Sequence, residues 1–289
     1  MASIKAIRRR IASVKSTQQI TRAMKLIAAA RLRRAQEALL NARPYAETLA
    51  RVAESLLESE NALLKPREDA QPQSLILVIA SDRGLCGAYN LNAVHKGEEI
   101  ARQQEGANLN PAYFAVGRKA VEHFKRTKAS IAAESMGNQP LATVELSRAI
   151  GSRMLNDYLS GAVSEAGIVY SRFKSALAQT PVYEQVLPLP APEQAEKPNG
   201  KEVVEYLIEP SRAELVPVVL QSYVESAVFH ALLEAEASDN AAKMTAMDAA
   251  TSNAEEMIAR YTLEMNRTRQ AAITSELMDI VGGSEALRG

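Results

Sequence analysis

The chain has 289 residues, with 34 lysines and arginines against 34 aspartates and glutamates, so its formal net charge is zero. That balance excludes a whole-molecule pull towards nucleic acid or acidic lipid. A single cysteine, Cys86, excludes an internal disulfide. No unbroken apolar run approaches the roughly 18 residues of a membrane span. The charge is nonetheless uneven: residues 1–36 hold ten basic residues and no acidic one. A basic amphipathic N-terminus can mimic a transit peptide, but the helical pattern continues far past such a segment, so it is expected to be mature structure of a cytoplasmic protein.

Residues 3 to about 59 predict a long helix. Its apolar seam runs Ile4, Ile7, Ile11, Val14 and then shifts to Ile20, Met24 and Ile27, across the polar stretch 16–19. Pro44 is expected to kink this helix or divide it in two. Leu49, Val52, Leu56 and Leu57 resume the stripe, and the polar, proline-marked segment 65–72 reads as a linker.

The middle of the chain differs in kind. Leu75–Ile79 is a continuous apolar run of strand length, as in a strand covered on both faces. A turn-rich loop follows, Ser81 to Gly87, then a helix from about Asn92. Further strands are predicted at Tyr113–Val116, Ile168–Phe173, Val182–Leu187 and Val203–Ile208, with helices from Arg118 and over Val144–Tyr158. The last two strands flank a loop with Pro188, Pro190, Pro192 and Pro198 and are candidates for a hairpin. Strand alternating with helix predicts an α/β layer with a mainly parallel sheet.

Val218–Val281 contains neither glycine nor proline over 64 positions, with Pro217 before it and Gly282-Gly283 after it as expected helix punctuation. An unbroken helix of that size would be about 96 Å long, far more than a compact domain needs. Its seam, Met244, Met247, Thr251, Ala254, Ile258, Tyr261, Met265, Thr268 and Ala272, steps by three and four. Leu220, Tyr223, Ala227, Ala237 and Ala241 keep the phase upstream, with His230 and Glu234 as polar breaks. The fold class is therefore α/β: a long antiparallel coiled coil of N- and C-terminal helices with an inserted Rossmann-like α/β domain, because the ends of an inserted domain lie close together. The expected bounds are 1–65, 66–210 and 211–289. Glu225, Glu234, Glu236 and Asp239 are expected to face the basic first helix. The second helix is the longer, so Ile273, Leu277, Ile280 and Val281 should project alone, an apolar tip that needs a socket.

Chemistry is sparse. His95, His123 and His230 have no ligand spacing, so no metal is expected. The loop after the first strand lacks both glycine-rich nucleotide fingerprints, so no cofactor is expected. Cys86 could be a nucleophile only with a base beside it, and the pattern nominates none. An α/β enzyme with a coiled-coil handle and a basic coiled-coil nucleic-acid binder are the alternatives that these features leave.

Four stretches carry a resemblance. They are residues 11–30, IASVKSTQQITRAMKLIAAA, followed by Arg33, Arg34, Ala35 and Gln36; residues 81–90, SDRGLCGAYN; residues 243–254, KMTAMDAATSNA; and residues 266–283, NRTRQAAITSELMDIVGG. With them the chain resembles, over its full length, the γ subunit of bacterial F-type ATP synthase, the rotor's central stalk. It departs at Asp239-Asn240, where the family more often has Glu-His, and at Lys243, often Arg. The paired regulatory cysteines of the chloroplast type are absent. No cleavable leader is evident, which points to a bacterial source.

The resemblance implies a non-catalytic rotor shaft that couples a turning membrane c ring to nucleotide chemistry in the β subunits. Its partners would be three α and three β subunits around one γ, the ε subunit and the c ring, with no nucleic acid. Its place would be the cytoplasmic face of the bacterial cell membrane, touched only through the c ring. The contacts with β would be Arg22, Met24 and Lys25 towards an acidic lever, Cys86 and its loop near the same lever, and Arg269, Gln270 and Thr274 towards a β-subunit loop. Ile273, Leu277, Ile280 and Val281 would turn in an apolar sleeve, and Tyr206 and Glu209 would form the foot on the c ring.

Overall fold

The computed structural model describes residues 4–57, 70–137, 140–189 and 211–286. The predicted strand 203–208, most of the 65–72 linker, Tyr206 and Glu209 lie outside the described residues. The element order is α1 (Ile4–Leu57), β1 (Gln73–Ile79), α2 (Tyr89–Gly106), β2 (Asn110–Val116), α3 (Arg118–Thr127), β3 (Ile131–Ser135), α4 (Val144–Leu159), β4 (Glu165–Ser175), β5 (Ala178–Leu187) and α5 (Arg212–Ala286). The chain forms two compact units: residues 1–28 with 244–289, and residues 29–243.

The larger unit is built on a five-stranded sheet ordered β3-β2-β1-β4-β5. β1 pairs in parallel with β2 and β4, and β2 with β3. The antiparallel pair is β4 with β5; the expected hairpin of 182–187 with 203–208 has its second strand outside the described residues. β1 sits in the centre because its run is apolar at every position, and Leu75 to Ile79 are all fully buried. Alternate residues serve two cores. Ile76 and Val78 face Val94, Ile100, Val121 and Phe124 of α2 and α3. Leu75, Leu77 and Ile79 face Ile150, Met154 and Tyr158 of α4 and Leu220, Val224, Val228 and Leu232 of α5.

This corrects the expected partner of the upstream seam: from Leu220 to Ala235 the sheet and α4 cover it, with Ala53 of α1 in the same cluster. Of the acids expected to face the basic helix, Glu236 and Asp239 line a cavity with Arg31 and Arg34 of α1, and Glu225, Glu234 and Glu236 are also bonded within the α/β layers. Glu234 accepts from the Phe173 amide (2.6 Å), Glu236 from the Ala142 amide (2.9 Å) and Glu225 from the Ser152 hydroxyl (3.3 Å). Backbone amides at strand and loop ends have no ladder partner, and a carboxylate supplies one. α4 approaches α5 closely at Gly151, where a Cβ would stand 3.0 Å from the Glu225 Cα.

Both long helices run through their expected punctuation. α1 is unbroken at Pro44, where the Thr48 hydroxyl donates back to the Pro44 carbonyl (2.8 Å). Pro44 is exposed, so the carbonyl freed by its missing N–H can be hydrated. α5 begins at Arg212, before Pro217, and passes through Gly282 and Gly283. Pro217 falls in the second turn, where few intrahelical bonds precede it, and the two glycines cost only intrinsic propensity, about 1 kcal/mol each. α5 also contains an 18-residue window of mean hydropathy 1.3, long and apolar enough by composition for a membrane span. Its apolar residues are interrupted by Gln221, Ser222, Glu225, Ser226 and His230, and four of the apolar ones, Leu220, Val224, Val228 and Leu232, belong to the sheet core.

The smaller unit is an antiparallel helical pair. Gln18 donates to Glu255 (2.9 Å), the Thr21 and Thr251 hydroxyls meet at 2.8 Å, and Lys25 binds Asp248 (2.5 Å). As the number rises along α1 it falls in matching steps along α5, which fixes direction and register. The α5 positions Thr251, Ala254, Ile258, Tyr261, Met265, Thr268 and Ala272 are all buried or half-buried, as their spacing requires. On α1 the expected shift does not occur. The seam continues from Val14 through Gln18, Thr21 and Met24 to Ala28, while Ile20 and Ile27 stand 57% and 55% exposed. Polar residues hold the seam because each has a partner across it; burying one costs little once it is paired.

Candidate functional site

Two surfaces carry the residues singled out above. The first is the end of α5. Beyond Ala272 every described side chain to Ser284 is exposed. Ile273, Leu277, Ile280 and Val281 are 49%, 57%, 68% and 58% exposed, and Met278 adds to them at 67%. Spaced by four, three and one, the first four form one helical stripe. An apolar stripe of this extent facing water marks an interaction surface. Just before it, Arg269, Gln270 and Thr274 are exposed; the Thr274 hydroxyl donates to the Gln270 carbonyl (2.9 Å). On α1, Arg22 is exposed, Met24 is half-buried at the seam, and Lys25 is already paired with Asp248.

The second surface is the loop from Ser81 to Ala88, between β1 and α2. It lies where the sheet order reverses, beside the carboxyl end of β1, the position at which open α/β sheets bind ligands. Here the chain binds its own loop. Asn90 organises it: its carbonyl oxygen accepts from the Ser81 amide (2.8 Å) and hydroxyl (3.0 Å), and its amide donates to the Cys86 sulfur (3.0 Å). Asp82 accepts from the Arg118 amide (2.8 Å) and the Gly137 amide (3.1 Å), capping α3. Tyr89 donates through its hydroxyl to the Ala235 carbonyl (3.1 Å), fixing α2 to α5.

Cys86 is buried with Tyr89 and Ala242. Burial pushes its thiol above the usual range, with the Asp239 charge adding to the effect. A nucleophilic cysteine needs the opposite, a stabilised thiolate; here the thiol is packed against Tyr89 and Ala242. Asp239 binds Lys243, one turn on. Burial still raises its carboxyl, and its Oδ1 has no hydrogen-bond partner. Among the described residues no group of three or more His, Cys, Asp or Glu is placed to hold a metal ion. His123 rests on Glu98 (2.7 Å) and His230 near Glu234 (3.8 Å).

Sequence reasoning did not find Asn90 or the seam roles of Gln18 and Thr21. For the last two a signal existed: steps of four and three from Val14 reach both, but the rule weighed apolar character above phase.

The fold and these surfaces define a class: a long helical pair with an exposed apolar end, and an α/β layer whose loop after β1 is held by its own hydrogen bonds. The family model described as ATP synthase matches residues 3–287. The gamma chain of ATP synthase from Desulforamulus reducens is 43% identical, over 99% of this chain and all of that one. That from Geobacter metallireducens is 39% identical over the whole of both. The chain belongs to the ATP synthase gamma chain family. The fold is shared with a chain of the Tetrahymena thermophila mitochondrial ATP synthase central stalk and c-ring structure (TM-score 0.62, 24% identity, 80% of this chain and 99% of that). It is also shared with a chain of the Euglena gracilis mitochondrial enzyme (TM-score 0.65, 20% identity, 98% and 94%).

Proposed function

We propose that this chain is the central rotor shaft of a proton-translocating F-type ATP synthase. It couples rotation of a membrane c ring to ATP synthesis and hydrolysis in the β subunits of an α/β hexamer. The observation that carries the reading is the α5 tip: an apolar stripe beyond the end of the helical pair, exposed in the isolated chain, which suits an apolar sleeve. A surface that turns against its socket gains from being apolar, since fixed ion pairs would hold one angle. The chain does no bond chemistry in this reading. It biases each β subunit in turn through rigid contacts, a reciprocal coupling between distant sites.

The roles follow position by position. Arg22, Met24 and Lys25, the loop of Cys86, and Arg269, Gln270 and Thr274 contact β; Tyr206 and Glu209 form the foot on the c ring. By function the chain divides into shaft helices over 1–65 and 211–289 and a foot domain over 66–210. Three α and three β subunits surround one copy, with ε and the c ring below, at the cytoplasmic face of a bacterial membrane. Native mass spectrometry of the complex isolated on a tagged copy tests this. Three α, three β and one copy of this chain is the result expected; a free monomer or homodimer with no larger partner overturns it.

A further inference from the structure

A cavity of about 620 Å³ lies in the larger unit, walled by α1, α5 and the turn that follows β1. That is within the size range of small-molecule sites, and the carboxyl end of a central strand is where open α/β sheets place them. Its charges fall into two groups. Three carboxylates are already engaged: Asp82 by the Arg118 and Gly137 amides, Glu236 by the Ala142 amide, and Asp239 through its Oδ2 by Lys243. Arg31 and Arg34 are not. They stand three residues apart on one face of α1, line the same cavity, and have no hydrogen bond or ion pair among the described residues. The wall therefore holds two guanidiniums with no anion to face.

Asp239 adds a second, independent demand. It is 9% exposed, and its Oδ1 has no hydrogen-bond partner. The nearby Ser81 hydroxyl is committed to the Arg83 carbonyl and to Asn90. A buried acceptor left unpaired is costly, so Oδ1 calls for a donor. A water would donate but carries no charge for the guanidiniums. A metal cation would sit against Arg31, Arg34 and Lys243. A small oxyanion that keeps a proton of its own answers both demands, with ionised oxygens for the guanidiniums and a hydroxyl for Oδ1. We propose that this cavity is a binding site for hydrogen phosphate, with Arg31 and Arg34 holding its ionised oxygens and the Asp239 carboxylate accepting from its P–OH group. Sulfate has the same shape but no proton. It would set a second acceptor against Oδ1 and is rejected, as sites that hydrogen-bond a hydroxyl reject analogues lacking it. A phosphate ester shares the chemistry only while it keeps its second proton, which it loses with a pKa of about 6. The site belongs to this chain alone and does not depend on the rotor reading.

Isothermal titration calorimetry of the full chain tests this, with inorganic phosphate, sulfate and adenosine monophosphate as ligands at constant ionic strength. The pH is set at about 7.5, above the second ionisation of a phosphate ester. Phosphate should bind saturably at one site, and sulfate and the ester about a hundredfold more weakly. Arg31→Gln and Arg34→Gln change exposed side chains; both should fold as the parent and each should weaken phosphate about tenfold. Arg33→Gln, outside the cavity and paired with Glu37, should bind as the parent. In Asp239→Asn the amide presents an N–H where the acceptor stood, so sulfate should gain and the preference for phosphate should vanish. Equal affinity of the parent for phosphate and sulfate overturns the proposal. So does a folded parent with no saturable phosphate binding, or parental binding by both arginine variants. Ester binding as tight as free phosphate overturns it too, since the ester then has no hydroxyl to donate. If Asp239→Asn does not fold, the arginine variants and the sulfate comparison decide alone.

Discussion

Thr21 and Thr251 face each other across the helical pair, with the Thr251 hydroxyl also reaching the Met247 carbonyl (2.7 Å). The Thr21 hydroxyl likewise reaches the Gln18 carbonyl (3.0 Å), so replacing either threonine by valine leaves the other hydroxyl bonded to its own helix and should cost no more than about 1 kcal/mol. The double replacement makes an apolar pair of the same shape and should cost less than the two singles together, which a double-mutant cycle in urea would read. Gly117 has φ +88°, and a Cβ there would stand 2.1 Å from the Ala80 carbonyl oxygen. Gly117→Ala should therefore destabilise the α/β unit by more than about 3 kcal/mol, because rigid backbone must move; an unchanged urea midpoint would refute the geometry. Asp239 gives a pH dependence of definite sign. Burial raises its folded carboxyl above the ordinary range, against the pull of Lys243, so the folded chain binds the proton more tightly than the unfolded one. Its contribution is least costly at low pH, and stability is lost as pH rises from the ordinary carboxylate range through the raised folded value. Asp239→Asn should flatten that part of a melting-temperature profile against pH.

The elements differ in how far the residues alone announced them. β1 was readable because both its faces are buried, and α5 because its downstream seam keeps one phase for eight steps. β3 was not: its residues alternate between half-buried and exposed at the sheet edge, and Ile131-Ala132-Ala133 is too short and too alanine-rich to read as a strand. The start of α2 at Tyr89 was hidden inside a loop rich in turn residues. The α1 seam misled for a physical reason: isoleucine at positions 20 and 27 looks like core, yet the helical phase places both outside. The same logic gives a paired test on α5. Ile258 is half-buried in the seam, whereas Ile280 is 68% exposed on the tip. Ile258→Asp puts an unpaired carboxylate against α1 and should cost about 3 kcal/mol. Ile280→Asp should leave the melting temperature of the isolated chain unchanged. Equal melting of the two variants in circular dichroism would remove the helical pair.

At the scale of the whole molecule, stability and assembly are assigned to different residues. The two sheet cores and the seam hold the fold, and the α5 residues beyond Ala272 contribute almost nothing to it, since each described side chain there to Ser284 faces water. Natural chains seldom keep such an apolar stripe exposed unless a partner covers it. Ending the chain after Ala272 should therefore leave its thermal unfolding within about 1 °C of the parent, since about 1 kcal/mol corresponds to a few degrees in a chain of this size. The same truncation should weaken the grip of the α/β hexamer on the shaft, seen as earlier loss of this chain from the complex in a native mass spectrum. Four apolar side chains that each bury about half their surface are worth several kcal/mol together, so the effect should exceed that of any single contact residue. A truncated chain that melts as the parent but stays in the complex as long would show that the tip is not held. One that melts much earlier would show that the tip is part of the fold, against its exposure.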